Sequence, residues 1–326
     1  MLEKYEKAGR IASYARKKAV KKAKAGMKVI DLIDFVENEI KKSGAGLAFP
    51  CTVSINEITS HYTSEPDDDT LLFNGDIVKI DLGAEVDGYL SDTAVTTIIK
   101  GKNKEPLDEK DEALIMPGRN DDGMCEVSDD VIEERMNLIE ATDSALENVT
   151  SILKEGISIR EVGRVIQDTI QSNGFTPVID LTGHAIARYN IHPGLTIPNY
   201  PDNSNDYILK EDDHIAIEPF ATNGEGHVVN LQQHTIYSYL RPRPLRDIDS
   251  ERLLDKISSE HNRLPFCKRH LLNDYDLNTL DDAINPLIAC RALYPYAIIK
   301  ERSNGCVSQT EHTIIIEKEG CNITTL

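Results

Sequence analysis

"KIDLGAEVDGYLSDTAVT", residues 79–96, alternates apolar and polar residues and turns over at Asp87-Gly88, a pattern that predicts a β-hairpin. Two acids interrupt it. Asp81 stands in the middle of the first expected strand and Asp92 in the second. Aspartate is depleted in strands, and a buried carboxylate is costly unless something compensates its charge. The two acids are eleven residues apart across a turn, so they can project from adjacent strands onto one face.

Working outward, the chain matches itself. "AGMKVIDLIDFVENEIKKSG" (25–44) lies over "EGISIREVGRVIQDTIQSNG" (155–174), with Gly26 on Gly156, Leu32 on Val162, Val36 on Ile166, Ile40 on Ile170 and Gly44 on Gly174. Both segments read as amphipathic helices ended by a glycine. Downstream, "LLFNGDIVKIDLG" (71–83) lies over "ILKEDDHIAIEPF" (208–220), which puts Asp76 on Asp213, Ile80 on Ile217 and Asp81 on Glu218. A helix-then-strand unit repeated with its mid-strand acid predicts two related α/β halves with a site at their junction. Between them, 101–130 is acidic, is broken by Pro and Gly and lacks a period, which predicts an exposed insertion. A helix is expected over 131–154. Over 236–300, "DSERLLDKISSEHNRL" and "LNTLDDAINPLIACRAL" predict a small helical insert, followed by a strand with Glu311 near its start and then another strand.

Bulk composition bounds the function. A chain of 326 residues with 40% hydrophobic and 28% charged residues can bury a globular core. The net charge of −19 argues against broad phosphate-gripping surfaces and so against nucleic acid as a partner. No apolar run approaches the roughly 20 residues of a membrane helix, and "MLEKYEKAGRIASYARKKAVKKA" lacks the apolar segment of a signal peptide. The cysteines at 51, 125, 267, 290, 306 and 321 form no C-x-x-C, so reduced thiols and a cytoplasmic location are expected.

Collecting the polar residues that break apolar strand patterns gives Asp81, Asp92, Glu218 and Glu311, with His184 in "LTGHAIARYNIHPG". Each has a plainer reading alone: an edge-strand Asp, a strand-ending Glu before Pro219, a surface Glu beside His312. The set carries the argument. Four acids brought together repel unless cations neutralise them, and carboxylates with one imidazole suit hard or borderline divalent ions. His61 in "SHYT" and His192 in "IHPG" adjoin these segments and are candidate donors to a substrate carbonyl or oxyanion.

"AFPCTVSINEITSHYT", "KIDLGAEVDGYLSDTAVT", "LTGHAIARYNIHPG", "IAIEPFAT" and "QTEHTIIIEK" together resemble the type 2 methionine aminopeptidases of the pita-bread metallopeptidase superfamily, over nearly the whole chain. The resemblance implies an α+β pita-bread fold, with pseudo-twofold duplicated α/β halves around a central antiparallel sheet and a small helical insert subdomain. The halves would be about 1–100 and 131–235 of a single catalytic domain. It implies two divalent ions (Co, Mn, Fe or Zn) held by Asp81, Asp92, His184, Glu218 and Glu311. Asp92 and Glu311 would bridge, Asp81 would complete one ion, and His184 and Glu218 the other. Glu218 would also shuttle a proton. His61 and His192 would be catalytic and contact substrate, and Phe49 and Ile191 would line the methionine pocket.

The implied activity is removal of the initiator Met from nascent polypeptides when the second residue is small. A cytoplasmic monomer is expected, with the ribosome as a further partner and no membrane or specific nucleic acid. The start of the sequence lacks a long Lys-rich extension, as in the short archaeal form. Three features depart from the pattern: the length of 101–130, Pro193 after His192 where Ala is usual, and the strong acidic balance. None removes a ligand. The competing functions are an X-Pro peptidase of the same architecture and a metal-free binding protein built on it.

Overall fold

The computed structural model describes residues 1–101, 127–245 and 247–326. The expected insertion at 101–130, apart from 101 and 127–130, lies outside the described residues, as does Cys125. The chain begins with α1 (Leu2–Lys22) and α2 (Val29–Lys42). These pack on β1 (Gly46–Leu47), β2 (Thr52–Ile55), β3 (Ile58–Ser60), β4 (Ile77–Leu82), β5 (Ala84–Val86), β6 (Tyr89–Leu90) and β7 (Thr93–Ile98). Next come α3 (Asp129–Ile152) and α4 (Ile159–Ser172), then β8 (Thr176–Pro177), β9 (Thr182–Ala185), β10 (Thr196–Pro198), β11 (His214–Ile217), β12 (Phe220–Thr222) and β13 (Val228–Tyr239). Helices α5 (Ile248–His261) and α6 (Leu277–Ala289) precede β14 (Leu293–Glu301), β15 (Val307–Gln309), β16 (His312–Glu317) and β17 (Gly320–Ile323). Among the described residues no helix is long and apolar enough to cross a membrane.

Helices α2 and α4 have the same length, 14 residues, and start 130 positions apart. Helix α2 buries Val29, Leu32, Ile33, Val36 and Ile40, and α4 buries Ile159, Val162, Ile166 and Ile170. Each such side chain removed from water contributes about 1.5–3 kcal/mol. The Ser158 hydroxyl accepts from the Glu161 N–H and caps α4. Helix α2 packs into one core with α1, β2 and β4, and α4 into another with α3, β11 and β16. The two cores flank a central set of antiparallel strands, β2-β4-β7 on one side and β10-β9-β11-β16-β17 on the other.

The 79–96 hairpin forms with one change from expectation. Asp87 and Gly88 have φ of 54° and 85°, the two positive values of a tight two-residue hairpin turn. The same register runs from Ile77↔Ile98 through Asp81↔Ala94 to Leu82↔Thr93 and resumes at Glu85↔Leu90 and Val86↔Tyr89. Asp92, however, is not within a strand. It sits in a break between β6 and β7. The cause is a competing partner: its N–H donates to Thr313 Oγ1 at 2.7 Å, and the Thr313 hydroxyl donates back to its carbonyl at 2.7 Å. The residue opposite in register is Gly83, where a Cβ would lie 2.5 Å from the Phe49 ring and 2.5 Å from the Ser91 carbonyl oxygen. Only glycine lets Phe49 approach so closely.

The insert brings its own core, built from Leu253, Ile257, Phe266, Leu280 and Leu287 among others. Its helices span Ile248–Ala289, so the ends of the expected 236–300 segment are strand: β13 and β14 run into it as an antiparallel ribbon that pairs in turn with β3.

Candidate metal centre

Strand register explains why the acids meet. Asp81 pairs with Ala94, and Asp92 lies two residues from Ala94 on the same face. In the second half Ile217↔His312 is the last pair of β11 and β16, so Glu218 and Glu311 oppose each other one step beyond it. His184 pairs with Ala216, two residues from Glu218 on that face. The halves are joined where the Glu311 N–H donates to the Ala94 carbonyl at 3.1 Å and the Thr93 hydroxyl donates to the Glu311 carbonyl at 2.8 Å. Arg16 of α1 pins this seam from behind, bonding the Thr93 hydroxyl and, at 3.0 Å, the Thr325 carbonyl.

A cavity of about 80 Å³ lies at that seam, lined by all nine residues singled out from sequence: Phe49, His61, Asp81, Asp92, His184, Ile191, His192, Glu218 and Glu311. Each of Asp92, His184 and Glu311 offers a ligating atom, and these atoms lie within 4.8 Å of one another. His184 Nε2 is 3.4 Å from Asp92 Oδ2 and 3.7 Å from Glu218 Oε1. Asp81 Oδ1, Asp92 Oδ1 and Glu311 Oε1 are buried without a hydrogen-bond donor among the described residues. Buried polar atoms ordinarily find partners, so three orphaned carboxylate oxygens converging on one cavity fit a cation.

Electrostatics agree. Burial and the Asp92 and Glu218 charges push the Asp81 carboxyl well above the usual range. Burial and Asp92 do the same to Glu218. Burial and the charges of Asp92, Glu218 and Asp81 do it to Glu311. Among the described residues, the donor they share is the Gln309 amide, 3.5 Å from Asp81 Oδ2, 3.2 Å from Glu218 Oε2 and 3.5 Å from Glu311 Oε2. A single neutral donor cannot neutralise four acids.

The chain belongs to the metallopeptidase family M24. That family's model matches residues 3–237, and a curated methionine aminopeptidase of Methanothermobacter thermautotrophicus is 41% identical over 325 residues, covering 100% of this chain and 99% of its own. Among solved structures, that of a thermophilic Arx1 superposes with a TM-score of 0.81 at 18% identity, covering 99% of this chain and 90% of its own. The methionine aminopeptidase of Rickettsia prowazekii gives 0.66 at 21% identity, covering 100% and 96%. At those identities the structures speak to the fold, which is the expected pita-bread α+β architecture. As an M24 member the protein is a metal-dependent peptide hydrolase. The M24 match ends at Tyr237, ahead of the helical insert and Glu311, which the full-length relative does span.

In this M24 site the two further histidines occupy different settings. His61 follows β3 with φ 65°, and its Nδ1 is 3.1 Å from the Ala297 carbonyl. A carbonyl only accepts, so Nδ1 carries the proton and Nε2 presents a lone pair to the cavity. Burial holds its pKa down, against the Ala297 bond. The His192 ring packs edge-on to His184 with centroids 4.4 Å apart, and loss of water around it, then His184 and His61, keep its pKa low. Both are neutral near pH 7.

Sequence reading missed Thr52, Ser60, Ile236, Pro265 and Tyr296 on the cavity wall. It also missed Gln309, although Gln309 stands two residues before Glu311 in a quoted motif, a spacing that shares a strand face. Pro265 and Tyr296 carry no local signal, because the insert and β14 deliver them from distant sequence. A wider groove of about 340 Å³ adjoins the cavity through His61, His184, His192 and Glu218 and runs out past Leu195, Phe220 and Tyr294. A larger cavity, about 450 Å³, lies elsewhere, lined by Thr235 and Tyr237, whose side chains leave β13 on the face opposite Ile236. Its Lys268 ammonium is already paired with Glu65 and Asp281, and no acid cluster with orphaned oxygens lines it.

Proposed function

We propose that the protein removes an N-terminal methionine from polypeptides, preferring a small second residue, with two divalent ions held by Asp81, Asp92, His184, Glu218 and Glu311. The observation that carries the reading is the convergence of orphaned Asp81, Asp92 and Glu311 oxygens on one cavity with His184 and Glu218. The metallopeptidase family and the similarity to the Methanothermobacter methionine aminopeptidase support the substrate. Divalent ions bound there would supply Lewis-acid activation of the attacking water and of the scissile carbonyl.

The chain's own residues do the rest. Phe49, Ile191, Ile236 and Pro265 give the inner cavity an apolar wall for one unbranched side chain, while the adjoining groove takes the peptide that follows. One side chain inside and the chain outside is an exopeptidase geometry. The surplus of carboxylates favours the ammonium of a free N-terminus. Neutral His192 donates to the scissile carbonyl oxygen and the oxyanion it becomes. His61, with Nδ1–H committed to Ala297, accepts at Nε2 from the substrate amide N–H and orients it. Glu218 takes the proton of the attacking water and returns it to the leaving amine. Selectivity for Met over a side chain one methylene different is modest, worth about 1–3 kcal/mol. The same reading places the protein in the cytoplasm as a monomer acting on nascent chains, near the ribosome.

The test is release of Met from Met-Ala-Ser and Met-Pro-Gly by metal-stripped protein, before and after adding Mn or Co. Metal-dependent release is expected, faster on Met-Ala-Ser. Strong preference for Met-Pro-Gly would favour X-Pro chemistry. Folded protein that releases nothing with any metal would sink the reading.

A further inference from the structure

The inner cavity has walls from two separately built parts of the molecule. Phe49 and Thr52 come from the first half, and Pro265 comes from the helical insert, whose hydrophobic core is its own. Pro265 is held to β13, beside the cavity residue Ile236, because Phe266 and Tyr237 exchange main-chain hydrogen bonds at 2.8 and 2.9 Å. That fixes it within the insert, not against Phe49.

Leu264, next to Pro265, packs in one apolar cluster with Ala48 and Phe49, and Lys268 pairs with Glu65, but one buried carboxylate bonds the segments of both walls. Glu37 lies on α2, 3% exposed, and has no part in the acid cluster at the seam. Its Oε1 accepts the Cys51 N–H at 3.2 Å, between Phe49 and Thr52. The same oxygen accepts from Arg269 Nη2 at 3.0 Å, and Oε2 is 3.1 Å from His270 Nε2, on the turn that follows Pro265 and Phe266. Arg269 also reaches Asp34 at 2.8 Å, the Ser64 carbonyl at 3.0 Å and the Thr63 hydroxyl at 3.1 Å. An apolar residue of similar volume would fill the space of Glu37 without the desolvation cost of a buried charge. Packing therefore does not account for it, whereas bridging does.

We propose that Glu37 is a positioning residue for substrate. Its carboxylate ties the Phe49–Thr52 wall to the Pro265 wall, and the spacing it sets selects the N-terminal side chain that enters. This rests on reading the cavity as the pocket for that side chain.

The test is steady-state kinetics of the metal-loaded full chain on Met-Ala-Ser and Leu-Ala-Ser, with metal content measured, for wild type, Glu37→Gln, His270→Gln and Lys268→Met. In Glu37→Gln, KM for Met-Ala-Ser is expected to rise about tenfold, the signature of binding lost equally from ground and transition state. The preference for Met over Leu should narrow, with kcat and metal content unchanged. His270→Gln, which leaves the Arg269–Glu37 pair in place, should move KM the same way by less, and it carries the test if Glu37→Gln does not fold. Lys268→Met breaks the neighbouring pairs with Glu65 and Asp281, which bond neither wall, and should leave KM alone. Unchanged KM and selectivity in the folded variants, an equal effect from Lys268→Met, or a fall in kcat in place of the KM rise would overturn the proposal while wild-type Met release upholds the pocket. Wild type that releases no Met overturns the pocket assignment and this inference with it.

Discussion

Glu37 and Glu311 are buried to nearly the same degree, 3% and 1% exposed, yet their carboxyls move in opposite directions. At Glu37 burial works against ionisation, but the hydrogen bond and charge of His270, then Arg269, outweigh it and hold the pKa at about 2. At Glu311 burial is joined by the charges of Asp92, Glu218 and Asp81, with Arg16 opposing weakly, and the pKa rises well above the usual range. Both oxygens of Glu37 have protein partners, while Glu311 Oε1 has none. The difference teaches where the polypeptide has completed its electrostatics and where it has left them open to something from outside. A satisfied buried carboxylate is architecture. An unsatisfied cluster of them is a candidate binding site.

The largest expected effect breaks the open site. Asp92→Ala should abolish divalent-metal binding and Met release while the protein stays folded. Metal analysis, turnover and circular dichroism check this together, and full turnover in that variant contradicts the ligand assignment. Next, His61→Ala should lower kcat by about 10²-fold at unchanged metal content, the scale of losing one group that orients the reacting amide. Parallel metal loss would make His61 a ligand instead.

The third prediction separates the two sites by pH. At the seam the folded pKa values of Asp81, Glu218 and Glu311 lie above their unfolded values. The folded state then holds more protons, so metal-free stability falls as pH rises from the usual carboxylate range. Added Mn should accordingly raise the thermal midpoint more at pH 7.5 than at pH 5. The expected gain is about 2.7 kcal/mol at a hundredfold excess over Kd. An equal or larger gain at pH 5 contradicts the cluster.

At Glu37 the signs reverse. Burial opposes protonation of His270, but Cys267 and Glu37 hold its pKa up at about 9. The stability this gives is fully present below the unfolded histidine value near 6.5 and is lost as pH rises through 9. The Glu37 contribution is fully present above its unfolded value near 4.5 and is lost as pH falls through 2. The groups facing the pair are Arg269, Asp34, Lys41, Cys267, Cys51 and His261. Losing His270 leaves Glu37 paired with Arg269, so the cost stays below the figure of about 3–5 kcal/mol for an unpaired buried charge. His270→Gln should therefore destabilise the protein below pH 6.5 and flatten the decline between pH 6.5 and 9 in thermal melts. The smallest effect is that of Lys268→Met, no more than about 1 kcal/mol in the same melts.

Much of this was legible in the chain. The two amphipathic helices, the hairpin with its Asp87-Gly88 turn and the two insert helices follow from local periodicity and turn chemistry, which act over a few residues. The acids of the candidate site were visible because each violates the pattern of its own strand or strand end, and a violation is a local signal. What the sequence did not carry was the break at Asp92, which exists because Thr313 competes for its backbone across 221 positions. Nor did it carry the wall residues Pro265 and Tyr296, or the tie from Glu37 to Arg269 and His270. Glu37 reads along α2 as an ordinary helical acid, and Lys268-Arg269-His270 as an ordinary basic turn. Their pairing depends on how the insert docks against the first half, and no period of 2 or 3.6 encodes a contact between elements more than 230 residues apart. Residue type and spacing determined which groups this protein brings to its site. Tertiary packing alone decided which of its buried charges are partnered and which stay open, because the environment of a charge is set by whatever chain surrounds it.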